Sequence, residues 1–95
     1  MNYDTKSINM ESMQVSILKV SIRQVKAARA LLDWSQSDLA ESSGVSLPTI
    51  KRLETTDGPI GGREETASAI CTALEFAGVE FIAENGGGAG VRMKK

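Results

Sequence analysis

The 95-residue sequence has no histidine, one cysteine and only four aromatic residues. Without histidine, the chain has no histidine-based catalytic triad, no histidine metal ligand and no side chain that ordinarily titrates near neutral pH. The lone cysteine, Cys71, makes neither an intrachain disulfide nor a thiolate zinc site by itself, and such usage is typical of a reducing, intracellular compartment. No other cluster of catalytic groups stands out, so we predict no enzyme activity, no bound metal and no cofactor.

Long apolar segments are also missing. No apolar run approaches about 20 residues, the length that crosses a bilayer. The N-terminal segment carries Asp4, Lys6 and Glu11 and lacks the apolar stretch of a secretory signal. We therefore expect a cytoplasmic protein without a membrane partner.

The charges of the chain are nearly balanced, with 11 basic and 12 acidic residues and a net charge of −1. This balance excludes a protein that coats nucleic acid by bulk charge, but a local basic patch remains compatible with it. Residues 14–63 contain seven basic and five acidic residues, whereas residues 64–95 contain three basic and five acidic residues. The first of these segments is therefore the more basic part of the chain. The length and a hydrophobic content of 41% indicate one small globular domain.

Helix signals recur between Ser21 and Ala77. Ser21 and Gln24 have the spacing of a capping box, so a first helix is predicted from Ser21 to Asp33–Trp34. Ser35 caps a second helix that ends at Gly44, a residue suited to the left-handed conformation at a helix C-terminus.

A third and a fourth helix follow. Ser46 caps the third, and Leu47 and Pro48 lie in its first turn, where proline is tolerated. The stretch Thr55–Gly62 is rich in glycine and reads as a loop. The fourth helix is predicted over Arg63–Ala77, with one apolar face formed by Ala67, Ile70, Cys71, Leu74 and Ala77.

Strand-like segments flank the helices. Gln14–Val20 precedes them, and Val79–Ala83 and Gly90–Met93 follow as a hairpin around the turn Gly86–Gly88. The chain thus divides into an N-terminal arm (1–20), a helical domain (21–78) and a C-terminal hairpin and tail (79–95). The predicted fold is mainly α.

Residues 36–54 carry the most informative pattern. Two short helices meet at a tight turn containing Gly44, and the small Ala40 lets them pack closely. Val45 fills the turn, while Ile50 and Leu53 hold the third helix against the first. This arrangement leaves the outer face of the third helix free, and a free helix can enter the major groove of DNA.

The segment resembles the phage-repressor or Cro-type helix-turn-helix domain, also called the xenobiotic-response-element type. The matching pattern is Gln36-x-x-Leu39-Ala40-x-x-x-Gly44-Val45-Ser46-x-x-Thr49-Ile50-x-x-Leu53-Glu54. The resemblance covers about residues 22–77, and the tail from Gly78 also looks like that of small bacterial members. It implies a compact bundle of four to five helices that binds operator DNA as a dimer in the bacterial nucleoid. The implied function is sequence-specific control of transcription, most simply as a repressor.

The resemblance also implies roles for individual residues. Gln36 would contact phosphate and support the neighbouring helix, and Arg63 would clamp a second phosphate. Arg52 matches a base-reading position, where a guanidinium suits guanine O6 and N7. Arg29 and Glu54 would pair with each other. The other residues facing the groove would be Ser46, Leu47, Pro48, Thr49 and Lys51.

Each of these assignments has an alternative. Exposed helix charges such as Lys51 and Arg52 are often only solvated, and Arg23 and Lys26 are read that way. Leu47 and Pro48 depart from the polar residues often found at their positions, because they can contact a thymine methyl but make no bidentate hydrogen bonds. We interpret Trp34 and Cys71 as core residues. For Cys71, redox sensing is a minor alternative.

The assembly and the function also leave alternatives open. We predict a homodimer whose interface involves the flanking strands, through Phe81 and Ile82 or through Val15 and Ile17. The alternative is that these strands fold onto the helical core of their own chain. The same helices would also serve a protein-interaction module such as an antitoxin or antiactivator, and a regulatory protein partner fits either function.

Overall fold

The structure, a computed structural model, describes residues 20–94. Four helices and a two-stranded antiparallel sheet follow one another along the chain: α1 (Ile22–Leu32), α2 (Gln36–Ser43), α3 (Leu47–Glu54), α4 (Glu64–Phe76), β1 (Val79–Ile82) and β2 (Gly90–Met93). This confirms the predicted mainly α fold with a C-terminal hairpin. The strand expected over residues 14–20 lies outside the described residues except for Val20. Within the described residues, no helix is long and apolar enough to cross a lipid bilayer.

Serine side chains set the starts of the first three helices. Ser21, Ser35 and Ser46 each accept a hydrogen bond from the backbone N–H three residues ahead, at 3.1, 3.0 and 3.3 Å. At the first two helices the exchange is reciprocal, because the side chains of Gln24 and Asp38 accept from the capping serine's N–H. Such caps satisfy amides that have no partner inside the helix. The predicted starts of α1, α2 and α3 are therefore confirmed.

The core lies between the four helices and the first strand. Its members are spaced at helical intervals, and none is more than 6% exposed: Val20, Ile22, Val25, Ala28, Leu39, Ile50, Leu53, Ile70, Cys71, Leu74 and Val79. The predicted apolar face of the fourth helix is buried at Ala67, Ile70, Cys71 and Leu74, whereas Ala77 is half-buried. Regular spacing in the sequence therefore identifies most of the side chains that fill the interior.

The hairpin packs onto the helices of its own chain. Val79 is fully buried, and Phe81 and Val91, which face each other across the sheet, pack against the core. The side chain of Gln24, itself only 6% exposed, donates from Nε2 to the carbonyl oxygen of Gly90 at 2.9 Å and more weakly to that of Ile82 at 3.4 Å. For the hairpin, the structure thus shows the alternative in which the strands fold onto their own core.

Candidate nucleic-acid interface

The turn between α2 and α3 depends on Gly44. This residue has φ +78°, and its N–H donates to the carbonyl of Ala40 at 2.9 Å. Residues with a side chain rarely adopt this left-handed conformation. Val45 is half-buried and packs against the core, and its N–H donates to Ser43 Oγ at 3.1 Å. These contacts fix the angle at which α3 leaves the turn.

The third helix has one buried and one exposed face. Ile50 and Leu53 point into the core at 1% and 6% exposure. Pro48, Lys51 and Arg52 are exposed. Leu47 and Thr49, in the first turn, are half-buried. The side of α3 away from the core is therefore open to a partner along its length.

A buried ion pair connects the C-terminal end of α3 to α1. Arg29 Nη2 lies 2.6 Å from Glu54 Oε1, and Arg29 Nε donates to Oε2 at 2.8 Å. The side chains are 19% and 5% exposed. Arg29 Nη1 also donates to the carbonyl of Trp34 at 2.9 Å, and Gln36 Nε2 donates to Glu54 Oε1 at 2.9 Å. The cluster joins α1, the start of α2 and the end of α3 in one network.

The charge state of Glu54 follows from this network. Burial by itself works to raise the pKa of the carboxyl. The hydrogen bonds from Arg29 and Gln36 and the positive charge of Arg29 outweigh it, so the pKa of Glu54 lies below its ordinary value. The carboxylate is therefore ionised and held in place at neutral pH, which suits a structural pair.

The sequence-predicted contact residues fall into two groups. Three of them are exposed, and within residues 20–94 none of the three takes part in an ion pair: Lys51, Arg52 and Arg63. The polar side chains at the helix starts are already engaged inside the chain. Ser46 Oγ donates to Thr49 Oγ1 at 2.9 Å, and Gln36 holds Glu54. Among the predicted contact residues, the positive charges without an ion-pair partner in residues 20–94 therefore lie on α3 and at the N-terminal boundary of α4.

Two further residues with chemically active side chains, Arg23 and Cys71, are engaged within the chain. Arg23 Nε lies 3.2 Å from Asp57 Oδ1 at the exposed start of α1, and this hydrogen bond holds the pKa of Asp57 below its usual range. Burial raises the pKa of Cys71 to about 12, and the nearby Glu75 charge adds to this shift. Cys71 is therefore an unreactive core thiol. Across residues 20–94, no group of three histidine, cysteine, aspartate or glutamate side chains is arranged to hold a metal ion.

Two features escape the sequence reading. Gln24 appears there only as a capping residue, and no local pattern reveals its bonds to the hairpin, which lies 66 residues farther along the chain at Gly90. Phe76 is 95% exposed at the end of α4. The sequence does contain a signal for the exposure of Phe76, because this residue lies between Leu74 and Ala77 and outside the apolar face of its helix.

A comparison with protein families identifies a similarity over this part of the chain. A family model described as helix-turn-helix matches residues 25–60. The match begins at Val25 in α1 and ends at Ile60 in the loop after α3. The matched segment contains the ion pair of Arg29 and Glu54, the turn at Gly44 and the whole of α3, whereas Arg63 lies beyond it. No curated protein matches the chain. Residues 25–60 are thus similar to the helix-turn-helix family, and this match supports the resemblance of the segment to the phage-repressor or Cro-type domain of DNA-binding transcription regulators.

Proposed function

We propose that this protein is a sequence-specific repressor that binds operator DNA as a homodimer, with α3 in the major groove. The proposal rests on the difference between the buried and the exposed face of α3. Its inner face is fixed by Ile50, Leu53 and the bonded Glu54, while Lys51 and Arg52 extend from its outer face without an ion-pair partner among residues 20–94. A rigid helix with free cations on its outer side fits the groove of an anionic duplex.

Base reading is assigned to the outer face of α3. Arg52 has the planar guanidinium that bonds guanine O6 and N7. Pro48 and Leu47, at the tip of the helix, offer apolar contact to a thymine methyl. Ser46 and Thr49 complete the surface, with hydroxyl groups that already bond each other and have further acceptor capacity.

Phosphate contacts are assigned to Gln36, Lys51 and Arg63. The amide nitrogen of Gln36 carries two hydrogens, and one bond to Glu54 accounts for one of them. The second can bond a phosphate oxygen while the first keeps the side chain in position. Arg63 is exposed at the N-terminal boundary of α4 and follows the loop after α3, so its charge can reach the backbone beside the groove. These contacts position the helix and carry no base specificity.

We infer dimerisation and repression from the small number of base pairs that one short helix can contact. One α3 spans only a few base pairs, and readers of this kind gain specificity by binding two half-sites about 34 Å apart, one turn of DNA, or a multiple of it. A dimer seated on a promoter excludes polymerase without needing any further activity. We assign the protein to the cytoplasm, at the nucleoid, because its proposed ligand is there.

The test is binding to the genomic DNA that flanks the protein's own gene. Fluorescence anisotropy at two salt concentrations, with nuclease footprinting of the same fragments, should show a protected site with two half-sites. Affinity should fall steeply with salt, by about 10³-fold or more between 50 and 200 mM if six or more phosphates are contacted. A fragment of the same composition in scrambled order is the control. Absence of a footprint, together with equal weak binding to both fragments, would favour the antitoxin or antiactivator alternative.

A further inference from the structure

The most exposed large apolar side chain among residues 20–94 is Phe76. It lies in the last turn of α4 and is 95% exposed, against 46% for Leu31 and 40% for Met93. Removing a phenylalanine side chain from water is worth about 1.5–3 kcal/mol. A single exposed ring is common on protein surfaces, but one that adjoins an apolar groove marks a contact surface.

A groove lies directly beside this ring. It has a volume of about 630 Å³ and runs between α2 and α4, with Trp34 on one side and small residues of α4 on the other: Ala69, Thr72, Ala73 and Ala77. A protruding ring and a hollow of small residues thus share one surface.

We propose that this surface, here called the α4 patch, binds the α4 patch of a second copy of the chain. The two α4 helices pack antiparallel about a twofold axis near Thr72, and Phe76 of each copy enters the groove of the other beside Ala69. The proposal deepens the dimer of the proposed function by naming its interface. It places that interface on α4 and leaves the hairpin strands in their own chain.

Self-complementarity is the first argument for a second copy as the occupant. A twofold interface uses the same patch on both partners, so a residue i that contacts j requires j to contact i. Phe76 and Ala69 are two helical turns apart on one face of α4, with Thr72 midway between them. A single twofold rotation about an axis near Thr72 therefore places the Phe76 ring of each copy in the groove of the other.

Charge complementarity is the second argument. Glu64 and Glu65 occupy the first turn of α4, while Lys94 lies beside its end, where its N–H donates to the carbonyl of Gly78 at 2.7 Å. In the antiparallel arrangement the acidic turn of one copy lies next to Lys94 of the other. The helix dipoles are opposed as well, which favours this orientation over the parallel one.

Sedimentation of the full chain tests the interface. Phe76→Ala should raise the dimer dissociation constant at least about 30-fold, the size expected for an aromatic hot spot. Because Phe76 is exposed, the variant should keep the wild-type circular dichroism spectrum and thermal midpoint. Leu31→Ala is the matched control, since it removes another exposed apolar side chain outside the groove and should leave the dissociation constant unchanged.

Cross-linking tests the twofold axis. Thr72→Cys places one exposed thiol per copy near the axis, and a short bismaleimide should join two copies covalently. The native Cys71 is buried with a pKa of about 12, so it stays silent at neutral pH. Asn85→Cys, in the exposed hairpin loop, is the control and should give no cross-linked dimer.

The outcomes separate this interface from the proposed function. A dimer that survives Phe76→Ala and does not cross-link through Thr72→Cys overturns the interface but leaves an operator-binding dimer intact. A wild-type chain that is monomeric at micromolar concentration also overturns it, whether its own N-terminal segment or another protein covers the patch. Conversely, an interface that behaves as expected in a protein without a footprint supports the dimer and contradicts the repressor.

Discussion

Arg29 and Glu54, 25 residues apart in the sequence, are joined by two hydrogen bonds with Nη2 only 2.6 Å from Oε1. The pair connects the helix that anchors the domain to the end of the helix that we place in the major groove. Because Glu54 also accepts from Gln36, it fixes the position of a side chain assigned to DNA phosphate. The geometry of the proposed interface therefore depends on a carboxylate that does not face the DNA.

Removal of this carboxylate should destabilise the fold. In Glu54→Ala the Arg29 charge stays mostly buried without its partner, and breaking such a pair costs about 3–5 kcal/mol. The 19% exposure of Arg29 favours the lower end of that range. Urea unfolding gives the free energy. Arg23→Ala, which breaks the exposed pair with Asp57, is the control and should leave the midpoint nearly unchanged; equal effects of the two variants would contradict the structural role.

The same pair should make stability depend on pH. Since the folded-state pKa of Glu54 is below its ordinary value, of about 4.3, its stabilising contribution is complete above that pH. The contribution is lost as the pH falls through the lower folded-state pKa. Urea midpoints measured from pH 7 down to pH 3 should fall more steeply for the wild type than for Glu54→Gln. Parallel curves for the two proteins would show that Glu54 is not responsible.

Gly44 offers a test of the turn. A side chain added there meets no atom within 4 Å, so the cost of Gly44→Ala is the cost of holding φ at +78°, about 1–2 kcal/mol. Asparagine tolerates the left-handed conformation better, and Gly44→Asn should lose less than Gly44→Ala. Thermal unfolding of both variants compares them. An alanine variant as stable as the asparagine variant would argue against this conformation.

Gln24 should hold the hairpin on α1. Gln24→Met keeps the length of the side chain but leaves the carbonyls of Gly90 and Ile82 without its amide and the Ser21 N–H without its acceptor. The loss should be about 1–2 kcal/mol. Hydrogen exchange should speed up in β1 and β2 more than in α3. Lys26→Met, two residues along and on the exposed side of α1, is the control. Uniform acceleration in all elements would mean that Gln24 supports the whole core rather than the hairpin.

Arg52 and Lys51 should differ in their effect on DNA binding. Arg52→Ala should weaken specific binding by about 1–3 kcal/mol and relax specificity at one base pair, whereas Lys51→Ala should weaken binding to all sequences and lower the salt slope by about 1. Both side chains are exposed, so neither variant should change the thermal midpoint. Anisotropy titrations with operator and scrambled DNA measure the difference. An unchanged affinity of Arg52→Ala at matched salt would remove its base-reading role.

Local signals in the sequence were sufficient for the framework of the fold. Serine caps three residues before a partner amide, glycine at the end of α2 and apolar residues at helical spacing each act over one or two turns. Such signals specify where α1, α2 and α3 begin and which side of α4 is buried. The pairing of Arg29 with Glu54 came from the likeness to the repressor family, since nothing local links two residues 25 positions apart.

Long-range packing decided the rest. Whether the hairpin joins the core or a second chain depends on where Val79 and Phe81 find apolar surface and on the bonds of Gln24 to Gly90, none of which spacing alone predicts. The exposure of Phe76 and the groove beside it likewise arise only when α2 and α4 are brought together. Most of the secondary structure could be predicted from the sequence, because caps and periodicity act locally, and the motif of residues 36–54 gave the resemblance to the helix-turn-helix family. Tertiary structure decided which surfaces remain open, because burial depends on neighbours that are distant in the chain.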